Sequence, residues 1–390
     1  MSDNAYITPK VLQWARESAR MSLETAAAKV HVALEKLVEW EAGSSLPTIK
    51  QAETLAKAYK RSFAIFFLPE VPRDFTPLQD FRKTNAKPLG TASIFIIREV
   101  QQKQAWIREV FESNNESALP FVGKSSIRDD PVKVAADILD TLQINKNNYL
   151  LDGPISEWID KAEARGIFIS KTSFIHTRLK LDSEEIQGFA IADAYAPFIF
   201  INSEDWAAAQ LFTLVHELAH IWIAESGISN EIEPELKHKG KTHPTELFCN
   251  EVAANALMPV GEIKKLGSSV FSSFPEVLKT SKKLGVSSIA FLVRLLNLNI
   301  ISSAKYHELK ALADNAFKDY LQQAEEKKAK QKKQKGGPNP YLLRLNKNGR
   351  LFTQVVLDAF RGGFVEPTLA SCLLNTHINK FSKLEAFLKL

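Results

Sequence analysis

Through most of the first 68 residues, apolar side chains return every three to four positions, which is the spacing of short amphipathic helices. Ser22 offers an N-cap, Leu23, Ala26, Ala27 and Val30 share one face, Gly43 supplies a stop, and Pro47-Thr48 opens the next helix. After PEVPRDFTPLQDFR the composition shifts, and residues 92–114 predict one long amphipathic helix. From about Leu151 the pattern becomes mixed. GIFISK (166–171) predicts a strand, and QGFAIADAYAPFIFIN (187–202) predicts two strands around a turn at Tyr195, Ala196 and Pro197. Asp205 or Ser203 is expected to cap the helix that follows, LFTLVHELAHIW. Helices continue to about Asp319, a lysine run reads as a solvated helix end and linker that closes at GGPNP (336–340), and FTQVVLDAF and FSKLEAFL predict a small helical terminus. The expected segments are 1–70, a helical connector 71–150, an α+β unit 151–335, and 336–390.

Composition narrows the class more than the chemistry. A chain of 390 residues predicts several domains, with 45% hydrophobic and 24% charged residues as in globular proteins. No stretch reaches 18 uncharged apolar residues and MSDNAYITPK lacks the apolar core of a secretory signal, so a cytoplasmic location with no membrane partner is expected. Two cysteines, Cys249 and Cys372, make no disulfide framework. Of the net charge of +5, the segment EEKKAKQKKQK (325–335) supplies +4, from six lysines against two glutamates. Bulk charge therefore argues little for nucleic acid.

The pentad HELAH carries the strongest chemical signal. Side chains four apart on a helix lie one turn apart on one face, so His216 and His220 can aim both imidazoles at one point with Glu217 on the flank. That is the H-E-x-x-H arrangement, in which the histidines ligate zinc and the glutamate activates water. A third protein ligand is needed if water is to keep the fourth position. HPTELFCNEVAANALMP, beginning at His243, offers Glu246, with Asn250 one turn later to accept a hydrogen bond from a ligand histidine. Cys249 and Glu251 are rivals for the metal, and manganese is an alternative to zinc. Tyr195, His238 and His243 are candidate donors to a developing oxyanion.

HELAH, the segment from Glu246 to Pro259, and GFAIADAYAPFIFIN together resemble the ImmA/IrrE-type metallopeptidases, as do, more weakly, the DFR of 80–82 and the terminal NGRLF. The resemblance implies a multidomain, mainly α chain with an α+β zincin-like domain, zinc held by His216, His220 and Glu246, and Glu217 as general base. It also implies a protein substrate, such as a helix-turn-helix repressor or a cognate toxin or regulator, in a stress-response, mobile-element or toxin-antitoxin setting. An extended substrate could add to a strand edge within 198–202.

Trp40-Glu41, Gly43 and Pro47 follow W-E-x-G-x-x-x-P, which resembles the five-helix Cro/repressor type of helix-turn-helix, with a recognition helix at about 33–41. Ala33, Leu34 and Lys36 are its candidate DNA-contacting positions. Leu23 stands where a glutamine is common in such domains, and residues 1–70 hold nine basic and eight acidic side chains, so phosphate attraction is weak. The module could instead dock a protein or a second copy of the chain. The rival to a peptidase is therefore a regulator or antitoxin-like binder with a non-catalytic metal site. Residues 279–303 also have a helix-turn-helix cadence around Gly285, and are expected to pack beside the peptidase core.

Overall fold

The computed structural model describes residues 3–82, 86–144, 153–176, 179–229, 243–333 and 339–388. In chain order the first elements are α1 (Pro9–Ser18), α2 (Leu23–Val30), α3 (Leu34–Ala42), α4 (Ile49–Ala58) and a 3-10 turn, Phe63–Phe67. There follow β1 (Gln79–Asp80), α5 (Thr91–Ser113), α6 (Pro131–Leu142), α7 (Pro154–Glu163), β2 (Phe168–Thr172), β3 (Phe174–His176) and β4 (Leu179–Lys180). The central run is β5 (Gly188–Ile191), β6 (Phe198–Asn202), α8 (Ala207–Trp222), β7 (Gly227–Ser229) and α9 (Pro244–Leu257). The rest is helical: α10 (Val260–Ile263), α11 (Phe274–Leu284), α12 (Ser288–Asn297), α13 (Ser303–Lys333), α14 (Pro340–Asn348), α15 (Arg350–Arg361), α16 (Pro367–Leu373) and α17 (Phe381–Leu388). Among the described residues no helix is long and apolar enough to cross a membrane.

The chain divides into two compact units. One comprises Met1–Pro77, Lys87–Gln101 and Phe174–Glu185, so it takes in the β3–β4 hairpin and the first part of α5. Its helices start and stop where local chemistry dictates. Ser22 Oγ accepts the Thr25 amide hydrogen at 3.2 Å, and α2 ends at His31 with φ 56°. At Gly43 the backbone turns left-handed, φ 78°, which ends α3 without the penalty a Cβ would bring. Thr48 and Gln51 form a reciprocal capping box on α4. Leu12, Ala26, Leu37, Trp40, Leu55 and Tyr59 are buried, and Arg16 of α1 pairs with Glu41 of α3 at 2.7 Å. The expected fifth helix is realised as the short 3-10 turn.

The second unit comprises Leu78–Ala86, Gln102–Ser173 and Ile186–Leu390. Its sheet has the order β1-β7-β5-β6-β2. β6 pairs in parallel with β2 and antiparallel with β5, so the stretch 198–202 lies inside the sheet. This corrects the expectation that it offers an edge to substrate: all five of its residues are buried and both its ladders are taken. The edges are β1 and β2. Across the sheet lies α8, in which every residue from Gln210 to Trp222 is buried. Its N-cap is Trp206, with no side-chain cap, rather than Asp205 or Ser203. The Asp205 carbonyl instead accepts from the Gln210 amide, and Ser203 donates its own N–H to the Thr172 carbonyl.

α9 packs on α8 and α6, and the Trp222 indole donates to Asp137 at 2.8 Å. α11 and α12 belong to this unit, and Phe291, Leu292 and Val293 of α12 enter its core. α13 runs to Lys333, beyond the expected end near Asp319, because lysines, glutamates and alanines favour helix and no Gly or Pro interrupts them. Beside β2 lies α14: Ser170 Oγ donates to the Lys347 carbonyl at 2.6 Å, and Lys103 Nζ donates to Asn348 Oδ1 at 3.0 Å.

Candidate metal centre

α8 positions the pentad. Its apolar surround (Leu214, Val215, Leu218, Ala219, Ile221) fixes the helix in the core, and both histidines and Glu217 have no exposed surface. From the first turn of α9 comes Glu246, 4% exposed, and one turn on comes Asn250. The two Nε2 atoms of His216 and His220 lie 3.1 Å apart. Glu246 sets one carboxylate oxygen 3.1 Å from His220 Nε2 and the other 3.2 Å from His216 Nε2. On the far side of the His216 ring, Nδ1 donates to Asn250 Oδ1 at 2.9 Å.

These contacts define what the cluster can hold. An amide oxygen only accepts, so the His216 proton sits on Nδ1 and its Nε2 presents a lone pair inward. Burial shifts His220 towards its neutral ring, the form that donates a lone pair. Against the cost of burial, imidazoles that carry a proton on Nε2 hold the Glu246 carboxyl far below the usual carboxylate range; with Nε2 bare, as in a ligand, its negative charge is left for a cation to balance. Two lone pairs and an anion therefore converge in a space closed to solvent, an arrangement that calls for a cation among them. Ligands about 2.0–2.2 Å from a tetrahedral zinc lie roughly 3.3–3.5 Å from one another. The observed separations of 3.1 to 3.2 Å are close to that. The residues present thus fit a divalent ion of the zinc type.

Glu217 is in a different condition. Among the described residues neither of its carboxylate oxygens has a hydrogen-bond partner, the nearby Ser229 hydroxyl donating to Glu246 instead. Burial, and then repulsion from Glu246, push its carboxyl well above the ordinary value. Gly188 of β5 lies against it: a Cβ there would meet Thr213 Cγ2 at 2.6 Å and Glu217 Oε1 at 3.0 Å. Only a glycine leaves that approach open.

Of the other sequence candidates, Cys249 is buried, and its sulfur and a ring nitrogen of each histidine all lie within 4.8 Å of one another. Its thiol is pushed up by burial and then by Glu246. Glu251 is exposed on α9 and is not part of the cluster. His243 is the exposed N-cap of α9, where its Nδ1 accepts the Thr245 amide hydrogen at 3.3 Å. Tyr195 sits in the β5–β6 turn, its amide donating to Asp193 Oδ1 at 3.0 Å, and His238 lies outside the described residues. In the first unit, Ala33 and Lys36 are exposed and Leu34 half-buried, and Lys36 is paired with Glu39 at 2.8 Å.

Three neighbours of the cluster were not among the candidate site residues. Ser229 Oγ donates to Glu246 Oε1 at 3.3 Å, Phe81 stacks on the His220 ring with centroids 5.3 Å apart, and Gly227 makes room for Phe81. Only the resemblance around DFR hints at Phe81, and nothing in the sequence pattern points to Gly227 or Ser229.

Residues 162–296 match the peptidase family described as the IrrE N-terminal-like domain, and residues 12–66 match the helix-turn-helix family. No curated protein matches the chain. The first match spans α8, α9 and β5 to β7, and therefore all the clustered side chains of the pentad and of α9. The chain joins an N-terminal helix-turn-helix of the Cro/repressor type to a peptidase domain of the ImmA/IrrE type.

Proposed function

We propose that the chain is a zinc-dependent endopeptidase acting on a regulatory protein, with His216, His220 and Glu246 as metal ligands, Glu217 as general base and Asn250 orienting His216. One observation carries the reading: a buried carboxylate with no partner stands beside a converging set of two imidazoles and a carboxylate. When bound, zinc or manganese supplies the Lewis acidity that polarises a scissile carbonyl and acidifies a water. Glu217 takes the proton of the attacking water and returns it to the departing nitrogen. Glu246 stays ionised, and Asn250 keeps the His216 lone pair pointed inward.

The helix-turn-helix on the same chain supports a regulatory substrate, such as a repressor of the same class or a cognate toxin, with Ala33, Leu34 and Lys36 as its DNA-facing positions. Glu217→Gln is the test. The variant should bind one equivalent of Zn2+ as the wild type does and lose cleavage of the partner by at least about 100-fold. Retained cleavage would remove Glu217 from the chemistry.

A second reading has its own observation. Cys249 places a sulfur near both histidines, and four protein donors would close the tetrahedron and leave no site for water. The chain would then be a regulator with a structural metal. Co2+ substitution separates the two, because a thiolate ligand gives an intense sulfur-to-cobalt charge-transfer band that Cys249→Ala would abolish.

A further inference from the structure

We propose that Phe81 is the positioning residue of His220, which makes residues 78–82 part of the metal centre; the inference rests on the ligand set proposed above. A ligating imidazole is ordinarily held by a hydrogen bond from its other ring nitrogen, which fixes the tautomer and the aim of the ring. His216 has such a partner in Asn250, and Glu246 has the Ser229 hydroxyl. Among the described residues His220 has none: its Nδ1 is buried with no hydrogen-bond partner there. What lies against the ring is Phe81, 3% exposed, with centroids 5.3 Å apart and planes 20° from parallel. The same phenyl ring meets the His243 imidazole at 5.1 Å.

The placement is built into the backbone. β1 pairs in parallel with β7, Gln79 opposite Gly227 and Asp80 opposite Ile228, and the Phe81 amide donates to the Ile228 carbonyl at 3.1 Å. Arg82 braces the segment through Asp80, Nε to Oδ1 at 2.8 Å and Nη2 to Oδ2 at 2.7 Å. Gly227 is required by the ring, since a Cβ there would fall 2.1 Å from Phe81 Cε2. β7 thus serves two ligands, making room at Gly227 for the ring behind His220 and presenting Ser229 to Glu246. A stacked ring fixes the plane of an imidazole but donates and accepts nothing, so His220 keeps its place only while residues 78–82 stay on β7. In the sequence, those residues lie between stretches of the unit that carries the helix-turn-helix, Met1–Pro77 and Lys87–Gln101.

The test is competitive Zn2+ titration of the full chain against a chromophoric chelator, together with the 1H–15N spectrum of the His220 ring in the loaded protein. Phe81→Leu, which keeps the apolar volume, and Phe81→Ala should each weaken Zn2+ binding about tenfold and broaden or shift the His220 signals. Phe81→Tyr, which keeps the ring, should retain both. Gly227→Ala should mimic Phe81→Ala, and the double variant should be no worse than either single one, because one contact is being lost. Full-strength binding and an unchanged His220 signal in Phe81→Leu, alongside weakened binding in His216→Ala, would overturn the proposal alone. Full-strength binding in His216→Ala and Glu246→Ala would overturn the ligand set and this inference with it. Phe81→Leu guards against loss of the fold in the alanine variant.

Discussion

The Glu163 carboxylate accepts the Leu351 amide hydrogen at 3.2 Å, so a buried acid at the end of α7 caps the first turn of the twelve-residue α15. Burial and the nearby Asp160 outweigh the two backbone donors and push this carboxyl up to about 7 from an ordinary 4.5. The folded state therefore binds this proton more tightly than the unfolded chain does. Its contribution to stability is fully present below pH 4.5 and is lost as the pH rises through about 7. Glu163→Gln keeps an acceptor for the helix and cannot ionise. Denaturant midpoints should move in favour of the variant by about 2–3 kcal/mol between pH 5 and pH 8. Parallel pH profiles for the two proteins would refute the assignment.

Next to that cap, Gly349 has φ 88° and ψ 147°, and a Cβ there would fall 2.4 Å from the Ile169 carbonyl oxygen of β2. Gly349→Ala should cost at least about 1–3 kcal/mol from the backbone alone, with the close approach adding to it. Calorimetry should show a melting temperature lowered by several degrees. An unshifted melting point would mean that α15 can step away from β2 freely.

Asn250 meets the proposed metal ligands through His216, whose Nδ1 donates to its Oδ1 at 2.9 Å. Asn250→Ala should leave the fold intact and weaken Zn2+ binding about 10–100-fold, read by chelator competition. Asn250→Asp, which keeps an acceptor facing Nδ1, should recover most of the loss.

In the first unit, Lys36 is already paired with Glu39, and its helix otherwise exposes Ala33, Glu35 and Val38. If duplex DNA is bound through this face, Lys36→Ala should lower the slope of log Kobs against log salt by about 0.9. The same slope in both proteins would take Lys36 out of the interface.

Local chemistry was the legible part of this chain. Ser22, Gly43 and Thr48 act on their own helices through bonds three or four residues long, so their sequence signals and their structural roles coincide. The histidines of HELAH and the pair Glu246 and Asn250 are likewise one turn apart, and the periodicity alone sets their common faces. Non-local pairing was not legible. Nothing around Gln79 says that it will lie beside Gly227, so neither Phe81 behind His220 nor the interior position of β6 could be read from alternation. The lysine run reads as a solvated helix end and linker, and its helical part extends to Lys333 because no breaking residue interrupts it. At the head of α8, two good capping residues stand next to a helix that does without a side-chain cap.

The contacts of α14 with β2 have a practical meaning for truncation. The Ser170 hydroxyl and Glu163 are both engaged by residues 347 to 351, late in the chain, and Gly349 lies close against the Ile169 carbonyl. A protein cut short before Pro340 would leave that flank of the sheet bare beside the phenylalanines and isoleucines of β2 and β6, inviting self-association through a naked strand. The last fifty residues therefore act as a sheath for the sheet, and shortened expression products should be insoluble.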